Sequence, residues 1–240
     1  MIRRVVALVL VCMCAVLISN AQADTIYTRQ PALKYLKQSI APVSIIGLGV
    51  FMKLNKIGFN DLTVKDNVVS TYSNFHTNAD DYLRFASLPF IYGLDLIGVK
   101  AKTDIKNRTA ILIKAEVLMC VSVKLLKNGT DVIRPDGSNN HSFPSGHTAQ
   151  AFLGAAMIQR EYGQKSIWYP VAAYTVATSV GVLRVLNNRH YTSDVLVGAG
   201  IGMLSVHIAY WTHQYKWNKN VIVMPTYSNR AVGVYFAMTF

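Results

Sequence analysis

Lys127-Asn128-Gly129-Thr130-Asp131-Val132-Ile133-Arg134-Pro135, Pro144-Ser145-Gly146-His147 and Arg184-Val185-Leu186-Asn187-Asn188-Arg189-His190-Tyr191-Thr192-Ser193-Asp194 decide how this chain is read. They gather cations and histidines between long apolar runs, a pattern that suits one phosphate site. Phosphoryl transfer needs cations around the equatorial oxygens, an in-line nucleophile and a group that protonates the leaving oxygen. Arg134 and Arg184 offer paired N–H groups to phosphate oxygens, whereas Lys127 offers a point charge. Ser145 and Gly146 precede a helix expected to begin near His147, where free amides and the helix dipole favour an anion. Pro144 is expected to hold the chain extended into that turn.

Outward from these stretches, apolar periodicity predicts helices over 82–99, 109–126, 148–160, 167–186 and 193–213, with a short apolar segment at 40–54 and a polar loop over 55–81. Helices of this length joined by short loops predict an all-α fold, a membrane-associated bundle of five to six helices. Residues 221–240 change character, with β-branched and aromatic residues around Ser228-Asn229-Arg230, and read as a β-hairpin or extended tail.

The chain has 240 residues, 52% of them hydrophobic and 15% charged, which fits one domain with several membrane-buried helices. Residues 168–183 carry no charge, so that helix belongs in a membrane or at the centre of a large core. Residues 109–126 include Lys114, Glu116 and Lys124, and a charge at mid-bilayer costs about 2.5–3.5 kcal/mol. That helix must be shielded by neighbours or lie shallow, the main argument against a fully integral protein. The net charge of +12 sits largely in short loops beside apolar runs, which points to membrane lipids as partners. No basic helix or aromatic-interleaved basic sheet supports nucleic-acid binding.

Arg3 and Arg4, the apolar run 5–18 and Ala21-Gln22-Ala23 read as a secretory signal peptide, residues 1–23, with an uncleaved anchor as the alternative. The helical domain is then 24–220. Cys12 and Cys14 leave with the leader, and Cys120 alone can form no intramolecular disulfide. Lys100, Lys102, Lys106 and Arg108, then Arg160 and Lys165, and finally Lys216 and Lys219 fall on one side of the predicted bundle. The positive-inside rule makes that side cytoplasmic and turns the loops with Lys127 to His147 and Arg189 to Asp194 to the periplasm. With a cleaved leader, segment 40–54 cannot also cross, so it is expected to lie at the interface or re-enter.

Taken together, the three stretches resemble the signature of the type-2 phosphatidic acid phosphatase (PAP2) superfamily, which also contains bacterial class A acid phosphatases and vanadium haloperoxidases. The resemblance covers 127–194 and departs at Leu183, where the family usually has Ser before the Arg. It implies His190 as the nucleophile, forming a phosphohistidine that water hydrolyses. Asp194, one helical turn on, would fix its tautomer, and His147 would protonate the leaving alcohol and then activate water. Lys127, Arg134, Ser145, Gly146 and Arg184 would bind the phosphate, with no metal and no cofactor. The layout looks like enzymes that hydrolyse a lipid phosphate monoester at the periplasmic face of the bacterial inner membrane, with lipid A phosphate favoured. Undecaprenyl pyrophosphate or phosphatidylglycerol phosphate phosphatases and soluble periplasmic acid phosphatases are the alternatives. A vanadate haloperoxidase and a non-catalytic membrane protein are further readings, the latter opposed by the presence of both His190 and His147.

Other candidates read more plainly. His141 is taken as exposed or a substrate contact, and His76, His207 and His213 as structural. Lys124 has the wrong spacing to Arg134. Asn187, Asn188 and Arg189 rim the site, where Arg189 is placed to meet a second phosphate. Asp80 and Asp81 read as helix N-cap residues rather than metal ligands.

Overall fold

A computed structural model describes residues 30–55, 57–58, 60–215, 221–228 and 231–238, with side chains described between 35 and 215. The predicted leader, 1–23, lies outside the described residues. Among the described residues there are eight helices and one hairpin: α1 (Gln30–Leu54), α2 (Asp61–Thr71), α3 (Ala79–Leu83), α4 (Ser87–Leu96), α5 (Ile105–Thr130), α6 (Gly146–Tyr162), α7 (Trp168–Leu186), α8 (Thr192–Trp211), β1 (Val221–Ser228) and β2 (Ala231–Met238). The strands pair antiparallel, with Ser228 opposite Ala231 and Val221 opposite Met238.

The fold is the helical bundle with a short β tail that the sequence predicts, with more helices than the apolar runs suggest. The polar stretch 55–81 contains α2, capped by Asn60, whose side chain accepts from the amides of Leu62 and Thr63 at 3.0 and 3.1 Å. The predicted helix 82–99 is broken into α3 and α4 by a turn at 84–86. Pro89 explains the break, since it has no N–H to donate to the Phe85 carbonyl and its ring would crowd that oxygen. The Leu88 amide takes the Phe85 carbonyl instead, at 3.0 Å.

Segment 40–54 is the later part of the continuous helix α1, which runs antiparallel to α8. Gln38 accepts from the Trp211 indole at 2.9 Å where α8 ends, and Lys53 reaches Asp194 where α8 begins. Close approach on both flanks of α8 depends on glycine. A Cβ at Gly200 would lie 2.7 Å from the Pro42 carbonyl of α1, and one at Gly198 would overlap the Ser145 carbonyl where α6 begins.

α8 is the centre of the bundle and is buried on nearly every face, with α1, α5 and α6 packed around it. Among the described residues, three helices, over Tyr35–Leu54, Trp168–Leu186 and Thr192–Trp211, are long and apolar enough to cross a membrane. α5 buries Ile111, Ala115, Met119, Val123 and Leu126 while exposing Ile113, Val117, Val121 and Leu125 at intervals of one turn. An outer apolar stripe opposite a packed inner one suits a helix whose outside meets lipid. Its charges are engaged by neighbours: Gln150 of α6 donates to Glu116 at 2.6 Å, and Lys114 donates to the Thr212 carbonyl at 3.2 Å.

Alternation of α5, α6, α7 and α8 carries the loops 131–145 and 187–191 to one end of the bundle. The other end holds a buried polar hub. Arg108 is fully buried between Asp95 and the Tyr162 hydroxyl, and Glu161 accepts from the amide and hydroxyl of Thr103. Arg108 is therefore a core residue rather than one of the loop cations the sequence suggests, whereas Lys100, Lys102, Lys106 and Lys165 are exposed at that end.

Candidate active site

Each predicted residue reaches the same end of the bundle by a different element. Lys127 is in the last turn of α5, where its Nζ donates to the His141 carbonyl at 2.6 Å. Arg134 follows in the loop that closes with its amide on the Asn139 carbonyl at 2.9 Å. Ser145 is the N-cap of α6, its hydroxyl 2.9 Å from Thr148 Oγ1, and Gly146 and His147 open that helix. Arg184 lies in the last turn of α7, His190 in the loop after it, and Asp194 in the first turn of α8. The Phe143–Pro144 peptide bond is cis.

His190 and Asp194 form the innermost pair. His190 Nδ1 lies 3.5 Å from Asp194 Oδ2, and the same oxygen accepts from Ser142 Oγ at 2.5 Å and from the Tyr191 amide at 3.0 Å. With Nδ1 turned to the carboxylate, Nε2 is left on the opposite side of the ring. Burial pushes the His190 imidazole down to about 4, against the pull of Asp194, a shift that favours the neutral ring at pH 7. His147 is lowered by burial and by the Arg184 charge, while its hydrogen bond to Asp81 acts the other way. Burial and the nearby Arg134 charge push Lys127 down to about 8, a poorly solvated cation that an anion would restore. Lys127, Arg134 and Arg184 lie within electrostatic reach of one another and of His190 or Asp194. Such mutual repulsion is what a site built to take a multiply charged anion shows before the anion arrives.

Beside them is a cleft of about 660 Å³ between α5, the start of α6 and the turn after α3, lined by Lys127, Arg134, Gly146 and His147 and, on the apolar side, by Phe85, Met119 and Val123. His141 and Lys124 also line it.

The sequence reading missed two residues. Asp80 and Asp81 are not N-caps, because Asn78 holds that position and both aspartates lie inside the first turn of α3. Asp80 is buried and accepts from Arg184 Nη1 at 2.6 Å and from Asn187 Nδ2 at 2.9 Å. Asp81 Oδ1 lies 2.7 Å from His147 Nε2. One short helix thus holds Arg184 with one carboxylate and His147 with the next. Ligand atoms of Asp80, Asp81 and His147 approach within 4.8 Å of one another, but both Asp80 oxygens already accept hydrogen bonds, a poor preparation for a cation. Arg189 does not wait for a second phosphate, since its Nη1 is paired with Asp136 at 2.9 Å.

Lys127, Arg134 and His147 line the cleft, with Arg184 and the buried His190–Asp194 pair at the same end of the bundle, an arrangement of cations and carboxylate-paired histidines suited to a phosphate group. A model of the PAP2 superfamily matches residues 124–218. It is 38% identical over 141 residues to the lipid A 1-phosphatase of Porphyromonas gingivalis, a match covering 58% of this chain and 31% of that protein. It is 29% identical over 92 residues to probable diacylglycerol pyrophosphate phosphatase 1 of Schizosaccharomyces pombe, covering 34% of this chain and 32% of that protein. The matches span about a third of the length of these curated relatives. The crystal structure of LpxE from Aquifex aeolicus has the same fold, with a TM-score of 0.50 at 22% identity over 66% of this chain and 98% of that one.

Proposed function

We propose that this protein is a membrane-embedded phosphatase that hydrolyses a lipid phosphate monoester, with lipid A phosphate as the favoured substrate. The observation that carries the reading is the pairing of two histidines with separate carboxylates, His190 with Asp194 and His147 with Asp81, beside the three cations. In the first step His190 Nε2 attacks phosphorus, an N–P bond forms, the P–O bond to the lipid breaks, and His147 gives its proton to the leaving oxygen. In the second, His147 takes a proton from water as its oxygen attacks phosphorus, the N–P bond to His190 breaks, and inorganic phosphate leaves. Lys127, Arg134, Arg184 and the amides at the start of α6 hold the phosphoryl oxygens in both steps. Apolar outer faces on α1, α5 and α7 would keep the acyl chains in the bilayer while the headgroup enters the cleft. The resemblance to the P. gingivalis enzyme supports lipid A over other lipids. Release of phosphate by the detergent-purified protein from a panel of lipid phosphates tests the reading. A panel that includes lipid A and gives no phosphate with any member would sink it.

The exposed lysines at the end opposite the site support, by the positive-inside rule, a cleft that opens at the periplasmic face of the inner membrane. Removal of a leader after Ala23 belongs to the same proposal, yet a crossing α1 that starts at the lysine-rich end competes with it. Cysteines at Asn139 and Thr103, with Cys120 replaced, test the side on which the site opens. A periplasmic site labels Asn139→Cys with a membrane-impermeant thiol reagent and protects Thr103→Cys until the inner membrane is broken. The reverse pattern would move the site to the cytoplasmic face.

A further inference from the structure

α1 ends within the site, and the three motif stretches do not account for what it brings. Lys53, in its last turn, places Nζ 3.7 Å from Asp194 Oδ1, 3.4 Å from Asp61 Oδ2 and 4.3 Å from the centre of the Tyr191 ring. Asp194 is fully buried and uses its two oxygens differently. Oδ2 takes Ser142, the Tyr191 amide and the contact with His190, whereas Oδ1 has no hydrogen-bond donor among the described residues and faces Lys53. Asp61 is held in turn by the amide and hydroxyl of Ser193, at 2.9 and 2.5 Å, the residue next to Asp194. A chain of contacts therefore runs from His190 through Asp194, Lys53 and Asp61 back to the start of α8.

We propose that Lys53 is a positioning residue for the His190–Asp194 pair. It occupies the Oδ1 side of the carboxylate, keeps Oδ2 turned to the imidazole, and sets how much of the negative charge the imidazole feels. Lys53 and Asp61 both lie outside the matched family region, 124–218. The role rests on the phosphatase reading above, in which His190 must be neutral to attack. The charges facing His190 are Asp194 of α8, Arg184 of α7 and Lys127 of α5, with Arg134 and Asp80 behind them. Lys53 acts on this set through Asp194, and Asp61 opposes it by sharing the same ammonium.

The opposed signs of Lys53 and Asp61 make the test. The pH dependence of His190 modification by diethyl pyrocarbonate, read by peptide mass spectrometry on the full chain in detergent, reports the protonation of that ring without turnover. Lys53→Met should raise the midpoint by roughly 0.5 to 1 unit, because Asp194 then pulls unopposed on the imidazolium. Lys53→Arg should stay with wild type. Asp61→Asn should lower the midpoint, since it removes the competing negative charge. A midpoint unmoved by Lys53→Met, or moved in the same direction by both neutralising variants, would overturn the proposal and leave Lys53 a structural tether. Should Lys53→Met fail to fold, the downward shift in Asp61→Asn alone decides, and its absence overturns the role. Phosphate release measured in parallel keeps the two readings apart. Shifted midpoints in a protein inert on every lipid phosphate would refute the phosphatase and support the positioning, and turnover with unshifted midpoints would do the reverse.

Discussion

The stretch from Lys127 to Asp194 and the helices before it meet at one cleft but contribute opposite kinds of group. The later stretch brings the cations and imidazoles that, in the proposed reaction, meet the phosphate. The earlier helices bring their counter-charges: Asp80 to Arg184, Asp81 to His147 and Lys53 to Asp194. Within the later stretch Asp194 already holds His190, but without the earlier helices Arg184 would lack its carboxylate and His147 its hydrogen-bond partner. The comparison teaches that the motif residues choose the chemistry while residues far upstream fix their orientation and charge.

Substitutions on the two sides should therefore fail in different ways. The largest effect belongs to the motif side. His190→Ala should lower phosphate release by many powers of ten with the fold intact, and residual turnover above about 1% of wild type would remove His190 as nucleophile.

Asp80→Ala comes next and should act on stability first. It leaves Arg184 buried without its carboxylate, a loss of about 3–5 kcal/mol. The thermal midpoint should fall by roughly 10 °C. A variant as stable as wild type would mean that Arg184 needs no counter-charge, and the division of labour would break.

Asp81→Asn should be milder, costing roughly tenfold in kcat. Its sign is specific. The Asp81 carboxylate favours protonated His147, so the amide lowers the imidazole further and the alkaline limb of the kcat profile moves to lower pH. The acid limb of kcat/KM should stay where His190 sets it, falling as pH drops through about 4 rather than through the ordinary histidine range. A shift in the acid limb instead would assign Asp81 to the wrong histidine. The smallest effect is expected from Asp136→Asn, whose pair with Arg189 is partly exposed and should change turnover by less than about twofold.

How much of this was legible depends on sequence separation. His190 and Asp194 are four residues apart, and Ser145 and His147 two, so one helix turn or one cap brings each set together and the pattern is visible in the chain itself. Asp80 to Arg184 and Lys53 to Asp194 are tertiary contacts between residues that no local period connects. An aspartate before a predicted helix has an ordinary local explanation as a cap, and nothing local overrides it. The same logic governs the fold. α5 to α8 announce themselves by apolar periodicity, whereas α2 has almost no apolar face to give it away. The break before α4 sits in a mostly apolar run, where Pro89 is the residue that marks it.

The glycines of α8 set a limit on how this architecture can diversify. Gly198 and Gly200 present bare backbone to α6 on one flank and α1 on the other, and even a methyl group there would meet a carbonyl. Variation in substrate preference has no room to begin at the central helix. It must accumulate on the cleft's outer wall, at Arg84, Phe85, Cys120 and Lys124, where side chains can change size and charge without moving a neighbouring backbone. A library confined to those positions should yield altered lipid preference in stable proteins, while one directed at α8 should return mainly chains that no longer fold.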